Sequence, residues 1–226
     1  MDQIIDAKEG FVRLDACMAD DLSVVNSARV SFAKKVDRVG EAGVGLIDFL
    51  MREKHGTPFE HNAFRFHVKC PVFVAREWFR HRIGSFNEFS ARYSEVENDF
   101  FVPPIESIRK QIGKPGSYSF ERIDSEISKE VVEAINENNR RSYGMYSYLL
   151  QIGVAKEVAR MVLPVSMFTQ FYWTVNARSL MNFLALRNSS HAQKEIQWFA
   201  SRVEAVFAEK MPLTHQSWVN NGRICP

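Results

Sequence analysis

RHRIGSFNEFSARY, the stretch from Arg80 to Tyr93, brings arginines, hydroxyl groups and amides together between aromatic residues. Three of its residues are arginines, and the planar guanidinium group matches phosphate oxygens two at a time. A run of charge is often only a solvated patch with a few salt bridges, but here aromatic side chains interrupt the charges. The stretch therefore predicts a site for an anionic, hydrogen-bonding ligand.

A helix is expected to lead into this stretch. Pro71 suits the first position of a helix, and Val72, Ala75 and Phe79 follow at helical spacing. Gly84 is then expected to end the helix, which would leave residues 85–92 as an ordered loop.

Two segments are expected to form the centre of a sheet. From Phe64 to Lys69 apolar and polar residues alternate, so one face of that strand should be buried. From Ser166 to Val175 both alternating sets are rich in aromatic residues, which is typical of a central strand. With the helices around them, these strands predict the α+β (mixed α/β) class, with a central mixed or antiparallel sheet flanked by long helices.

Three other segments have a clear expectation. The longest helix should run from Phe120 to Ile152, and its apolar stripe would form core or a subunit interface. Residues 105–119 are polar and contain glycine and proline, so they are the best candidate for a mobile loop. Residues 214–226 are expected to form a loosely ordered polar tail.

Composition places the chain among ordinary globular proteins. Its 226 residues, 46% hydrophobic and 25% charged, suit a single domain over residues 1–226. The net charge of +2 is too small for a nucleic-acid coat, so anion binding must come from local clusters. No signal peptide or membrane-spanning run is evident, and the three cysteines are widely spaced, which favours a cytoplasmic protein.

A metal site is not expected. His55 and His61 flank the turn at Thr57, but no carboxylate or thiol pattern completes a set of ligands around them. For His61 the favoured interpretation is a structural histidine at the start of a strand.

The segment from Asn176 to Arg187 predicts a polar helix with two functional sides. Arg178 and Asn182 are four residues apart and share a face. Arg187 follows Arg178 by nine residues, a rotation of about 900° at about 100° per residue, so it should point to the opposite side. The spacing therefore predicts two ligands, or two subunits that meet at this helix.

Arg160 lies inside the apolar string Val158 to Val162. A buried arginine needs a carboxylate or an anionic ligand, because an unpaired buried charge is costly. The sequence alone leaves a structural salt bridge and a ligand contact both open.

Four segments resemble the flavin-dependent thymidylate synthases. The signature Arg-His-Arg, seven residues, then Ser stands here as Arg80-His81-Arg82 and Ser90. Asn87, Glu88, Arg92 and Tyr93 are also in register. The other matching segments are TPFEH (57–61), EVARMVLP (157–164), and TVNARSLMNFL to SSHAQ (174–193).

This resemblance implies a fold like that of the thymidylate synthase complementing proteins, and reductive methylation of dUMP to dTMP in dTTP biosynthesis. Methylenetetrahydrofolate would give the carbon, and FAD reduced by NADPH would give the hydride. The resemblance also implies a homotetramer with active sites shared between subunits. Flavin and nicotinamide carry the redox chemistry, so the protein has to bind, orient and polarise the cofactor and the substrates.

The resemblance also implies two sets of site residues. The dUMP set is Glu77, Trp78, Phe79, Arg80, Glu88, Phe89, Ser90, Ala91, Arg92, Arg160 and Arg187. The FAD set is His55, Thr57, Arg80, His81, Arg82, Glu88, Asn176, Ala177, Arg178 and Asn182. Arg187 and Ser90 are the candidate catalytic residues, with Arg187 near the N3–C2 edge of the pyrimidine and Ser90 favoured as a binding hydroxyl over a nucleophile.

Glu77 departs from the family pattern, which usually has Gln before Trp-Phe-Arg. A carboxylate near a substrate phosphate would repel it unless a neighbouring arginine, Arg76 or Arg80, neutralises Glu77.

Two other function classes were weighed. A module that binds single-stranded nucleic acid could stack bases on Trp78, Phe86 and Tyr93, but it would need a more basic chain. A histidine-dependent hydrolase would need no flavin, so the visible spectrum of the purified protein distinguishes it from a flavoprotein.

Overall fold

The structure is a computed structural model that describes residues 10–114 and 117–226. These residues form six strands and nine α-helices. In chain order they are β1 (Phe11–Met18), α1 (Asp21–Arg29), α2 (Glu41–Arg52), α3 (Thr57–Glu60), β2 (Ala63–Pro71), α4 (Val72–Trp78), β3 (Ser85–Glu88), β4 (Arg109–Lys114), β5 (Ser117–Arg122), α5 (Ser125–Gln151), α6 (Lys156–Ala159), β6 (Phe168–Asn176), α7 (Ala177–Arg187), α8 (Lys194–Lys210) and α9 (Pro212–Asn220). Every helix in the described ranges is too short or too polar to span a bilayer.

The main sheet has four strands in the order β1-β2-β6-β3. β1 pairs antiparallel with β2, and β3 pairs antiparallel with β6. Phe64, Phe66 and Val68 of β2 are fully buried, which confirms the alternation expected for this strand. The predicted class, an α+β fold with a central antiparallel sheet beside long helices, is confirmed.

The chain divides into two compact units, one made of residues up to 70, 74–88 and 170–226, the other of residues 71–73 and 89–169. In the first unit an aromatic core joins the sheet to α4 and α7. Trp78 stacks on Phe183 with ring centroids 4.8 Å apart and meets Trp173 edge-on at 5.3 Å. The single domain over residues 1–226 stays a prediction.

The second unit is built on α5, which confirms the long helix, although it begins at Ser125 and not at Phe120. Asp124 caps its first turn by accepting a hydrogen bond from the Glu126 amide at 2.8 Å. Tyr146 is buried and accepts a hydrogen bond from the Val96 amide at 3.0 Å. Of the expected apolar stripe, Ile127 and Met145 are exposed, whereas Leu149 packs against the buried cluster that contains Tyr146.

The stretch around Gly84 differs from the expectation. Pro71 ends β2, α4 stops at Trp78, and residues 85–88 form the edge strand β3. Phe86 lies opposite Trp173 in this pairing. The prediction of a loop over residues 85–92 was therefore wrong for residues 85–88, because the pairing partner of β3 lies far away in sequence, and it is confirmed for residues 89–92.

Two further expectations were wrong. Residues 109–122 form the two-stranded hairpin β4–β5 in place of a mobile loop, with Pro115 and Gly116 outside the described residues. The expected polar tail is helix α9, with Thr214 and Trp218 fully buried. Asp21 fastens α9 by accepting hydrogen bonds from the amides of Leu213 (3.0 Å) and Thr214 (2.9 Å) and from the Thr214 hydroxyl (2.6 Å).

Candidate active site

A cavity of about 780 Å³ lies in the first unit, beside α7. Arginines from separate segments meet there: Arg80 and Arg82 follow α4, while Arg178 and Arg187 stand near the two ends of α7. Its full lining is Glu60, Arg80, His81, Arg82, Ile83, Asn176, Arg178, Ser179, Asn182, Leu186, Arg187, Cys225 and Pro226.

Helix α7 presents Arg178, Asn182 and Arg187 to this one cavity. Asn176 caps the helix by accepting a hydrogen bond from the Ser179 amide at 2.8 Å, which fixes where the first turn begins. Arg178 and Arg187, expected to point to opposite sides of the helix, both line this cavity. That they serve two ligands or two subunits stays a prediction.

Arg178 is held in place by two hydrogen-bond acceptors, and it occupies space that is open because residue 56 is a glycine. Its Nη1 donates to Glu60 Oε1 at 2.6 Å, and its Nε donates to the Pro226 carbonyl at 2.7 Å. The hydrogen bond with Glu60 raises the pKa of Arg178. A Cβ at Gly56 would lie 2.7 Å from Arg178 Cζ and 2.8 Å from its Cδ, so only glycine leaves room for this arginine.

Arg187 is bound to His81, the middle residue of the Arg-His-Arg motif, and to Glu77, which precedes the motif. Its Nε donates to His81 Nε2 at 3.0 Å. Its Nη1 donates to Glu77 Oε2, and its Nη2 donates to the Glu77 carbonyl, each at 3.3 Å. Glu77 is therefore paired with Arg187 rather than with a sequence neighbour such as Arg76 or Arg80.

His81 is neutral at physiological pH. Burial, together with the positive charges of Arg187 and Arg80, lowers the pKa of His81 to about 4. Because Nε2 accepts from Arg187, the single ring proton belongs on Nδ1. Burial raises the pKa of Glu77, against the attraction of Arg187 and with a smaller contribution from the charge of Glu195.

Several residues of the predicted sets lie in the first unit but outside the cavity lining. Trp78 and Ala177 are fully buried, so neither offers a ligand any surface within this chain. Phe79 packs edge-on against Phe86 at 4.9 Å. The others are Glu88 in β3, Thr57 at the start of α3, and His55, whose ring is 5.6 Å from that of Phe49.

The second unit holds the rest of the predicted dUMP set. The Ser90 hydroxyl accepts a hydrogen bond from the Arg92 amide at 3.4 Å, and Arg92 Nε donates to Glu157 of α6 at 3.3 Å. Arg160 follows α6 and is exposed, so the expectation that it is a buried charge needing a partner was wrong. Ala91 is buried and Phe89 is partly exposed. All of these ligand assignments stay predictions.

Some lining residues were not predicted. Ser179 and Leu186 lie three before and four after Asn182, so helical spacing could have indicated them. Glu60 lies in the matching segment TPFEH but was not named as a site residue, and Cys225 and Pro226 gave no sequence signal, because they reach the cavity from a distant segment. Cys225 Sγ lies 3.2 Å from the Arg178 carbonyl, and burial raises the pKa of its thiol. The described residues contain no group of three or more His, Cys, Asp or Glu side chains placed to hold a metal ion.

Comparison with known proteins gives one consistent result. The family model described as thymidylate synthase complementing protein matches residues 13–213. A flavin-dependent thymidylate synthase from Thermosipho melanesiensis is 50% identical over 211 residues, which cover 93% of this chain and 91% of that protein. A namesake from Thermotoga neapolitana is 47% identical over 211 residues, with the same coverage of both chains.

Solved structures agree with the sequence relatives. The UMP/dUMP methylase PolB from Streptomyces cacaoi, bound with 5-Br UMP, superposes with a TM-score of 0.89 at 40% identity and covers 97% of both chains. The extent of the family match and the identity of these relatives leave no other assignment: the chain belongs to the thymidylate synthase complementing protein family.

Proposed function

We propose that this protein is a flavin-dependent thymidylate synthase, which reductively methylates dUMP to dTMP in dTTP biosynthesis. Methylenetetrahydrofolate is the carbon donor, and NADPH reduces the FAD. The observation that carries the proposal is the convergence of Arg80, Arg82, Arg178 and Arg187 on one cavity in a chain of this family.

The residues of the cavity fit FAD. Arg80, Arg82 and Arg178 offer guanidinium donors for a pyrophosphate, and Asn176 and Asn182 add amide groups that can bind flat polar rings. A cavity of about 780 Å³ lies within the range of cofactor sites. The bound flavin supplies the hydride chemistry, which no side chain in the cavity can supply.

Arg187 is proposed to hold the pyrimidine of dUMP. A guanidinium near the N3–C2 edge favours the anionic, more nucleophilic ring. Ser90, Arg92 and Arg160 are proposed as further dUMP contacts. For Ser90 a binding role is favoured, because its hydroxyl accepts the Arg92 amide and the described contacts place no base on it.

We further propose a homotetramer with shared sites. Support comes from large apolar side chains at the surface of the chain, among them Ile83 at 74% exposure and Met161 at 76%. A cytoplasmic location is supported by three cysteines that are all free.

The test is a turnover assay on the purified protein, together with its visible spectrum. Oxidation of NADPH should depend on dUMP and methylenetetrahydrofolate, and dTMP should form in step with it. A colourless protein that makes no dTMP when FAD is added would overturn the proposal. Light scattering of the flavin-loaded protein tests the tetramer separately.

A further inference from the structure

The guanidinium of Arg187 is fixed on two of its sides by groups of the same chain. Of its five N–H donors, three are engaged: one by His81 Nε2 (3.0 Å), one by the Glu77 carboxylate and one by the Glu77 carbonyl, both at 3.3 Å. Two N–H donors remain, and Arg187 lines the cavity. A guanidinium with two free donors can still bind an oxygen and a nitrogen of one ring edge.

Among the groups just described that bond to Arg187, only the Glu77 carboxylate carries a charge of opposite sign. His81 is neutral, and it offers Arg187 a lone pair without a charge. The other charged groups that act on this cluster are Arg80, which acts on His81, and Glu195 of α8, which acts on Glu77. The Glu77 and Arg187 side chains are 28% and 22% exposed, so their attraction is only partly screened by water.

These contacts make a direct bond between the Glu77 carboxylate and a substrate phosphate unfavourable. A carboxylate repels a phosphate, and this one already accepts from Arg187. The residue that replaces the usual glutamine therefore acts on its neighbouring arginine, 110 positions later in the chain.

We propose that Glu77 is a positioning residue for Arg187. Its carboxylate and carbonyl hold the guanidinium plane, with His81 on the Nε side, so that the two remaining donors face the pyrimidine of dUMP. This inference rests on the proposed function. It differs from the role implied by the family resemblance, in which the Glu77 position touches dUMP itself.

A double-mutant cycle of Glu77→Ala and Arg187→Ala tests the proposal on the flavin-loaded enzyme. Glu77→Ala should lower kcat by about 10- to 100-fold, the equivalent of a lost charge-assisted hydrogen bond, while flavin content stays constant. Glu77→Gln keeps an acceptor oxygen and should restore most of that loss. In the Arg187→Ala background, Glu77→Ala should change turnover by less than about 3-fold.

Three outcomes would overturn the inference: full activity of Glu77→Ala, an increase in the KM for dUMP with kcat unchanged, or additive losses in the double variant. Where Arg187→Ala turns over too slowly to measure, the same cycle is run on dUMP affinity, followed by the change in flavin absorbance. If the wild-type protein itself forms no dTMP, the proposed function fails, which separates the two conclusions.

Asp15→Asn is the matched control. Asp15 pairs with Arg65 across β1 and β2, away from the cavity lining, so this change also removes one carboxylate from an arginine. It should leave both kcat and the KM for dUMP at wild-type values. Equal losses in Asp15→Asn and Glu77→Ala would reduce the effect to general destabilisation and contradict the positioning role.

Discussion

Two clusters in the first unit contain the same three residue types, a glutamate, an arginine and a histidine, and they behave in opposite ways. Glu204 accepts from Arg223 through both carboxylate oxygens, from His215 at 3.0 Å and from Asn188 at 2.7 Å. Glu77 accepts one side-chain hydrogen bond, from Arg187 at 3.3 Å.

The pKa shifts follow the number of partners. Although burial opposes it, the hydrogen bonds from Arg223, His215 and Asn188 lower the pKa of Glu204. Burial raises the pKa of Glu77, because one weak partner does not offset the loss of water. The lesson is that a fully partnered carboxylate holds a fold together, whereas a sparsely partnered one leaves donors free for a ligand.

The largest expected effect comes from the arginine of the cavity cluster. Arg187→Ala should reduce dUMP-dependent turnover by about 100- to 1,000-fold, the usual cost of losing a donor aimed at developing charge. The melting temperature and the bound flavin should change little. The measurements are dTMP formation, flavin absorbance and thermal unfolding. Turnover equal to that of the wild type would remove Arg187 from the site.

The arginine of the other cluster should show the reverse pattern. Arg223→Ala leaves Glu204 half-buried with fewer donors and removes a cation from the face of Trp218, 4.3 Å away. The expected cost is about 2 kcal/mol of unfolding free energy, discounted because Arg223 is partly exposed. That corresponds to a fall of about 4–8 °C in Tm.

Turnover per folded molecule of Arg223→Ala should equal that of the wild type. A variant that melts normally but turns over slowly would erase the distinction between the two clusters.

A smaller effect is expected at the other end of the cavity. Gly56→Ala adds a Cβ 2.7 Å from Arg178 Cζ, so the guanidinium has to leave its place. Losing one charge-assisted contact to FAD should weaken flavin binding by about 10-fold. Flavin titration of the apoprotein measures this. Gly144→Ala, where the added Cβ meets nothing within 4 Å, is the control and should bind flavin normally.

The smallest effect concerns pH. The pKa of His81 is about 4 in the folded protein, below the ordinary 6.5, so the unfolded chain takes up a proton first as pH falls. His81 therefore destabilises the folded state progressively as the pH falls from about 6.5 to 4.

In His81→Gln this part of the pH dependence should disappear, which urea unfolding at pH 7 and pH 4.5 can measure. An unchanged difference between the two pH values would assign the effect to other groups.

Local sequence patterns predicted the structure correctly where interactions between residues close in sequence determine it. The alternation in β2 placed Phe64, Phe66 and Val68 inside, and the helix expected from Asn176 to Arg187 is α7. The family resemblance put Arg80, Arg82 and Arg178 in one set, and all three line one cavity.

Pairing between strands or side chains that are far apart in sequence could not be predicted. β3 exists because β6, more than eighty residues later, offers it a free edge. For Glu77 only arginines near it in sequence were considered as partners, and its partner lies 110 positions away. The exposed part of the α5 stripe shows the opposite limit, since helical periodicity identifies an apolar face but not what covers it.

The hydrogen bonds that Asp21 accepts affect when the chain can finish folding during its synthesis. Asp21 is the first residue of α1, yet its carboxylate accepts hydrogen bonds from Leu213 and Thr214, which leave the ribosome some 190 residues later. Until then a carboxylate that the finished protein buries must stay hydrated. In the nascent chain, α1 should thus stay without its contact to α9. Folding should be complete only when α9 packs against α1.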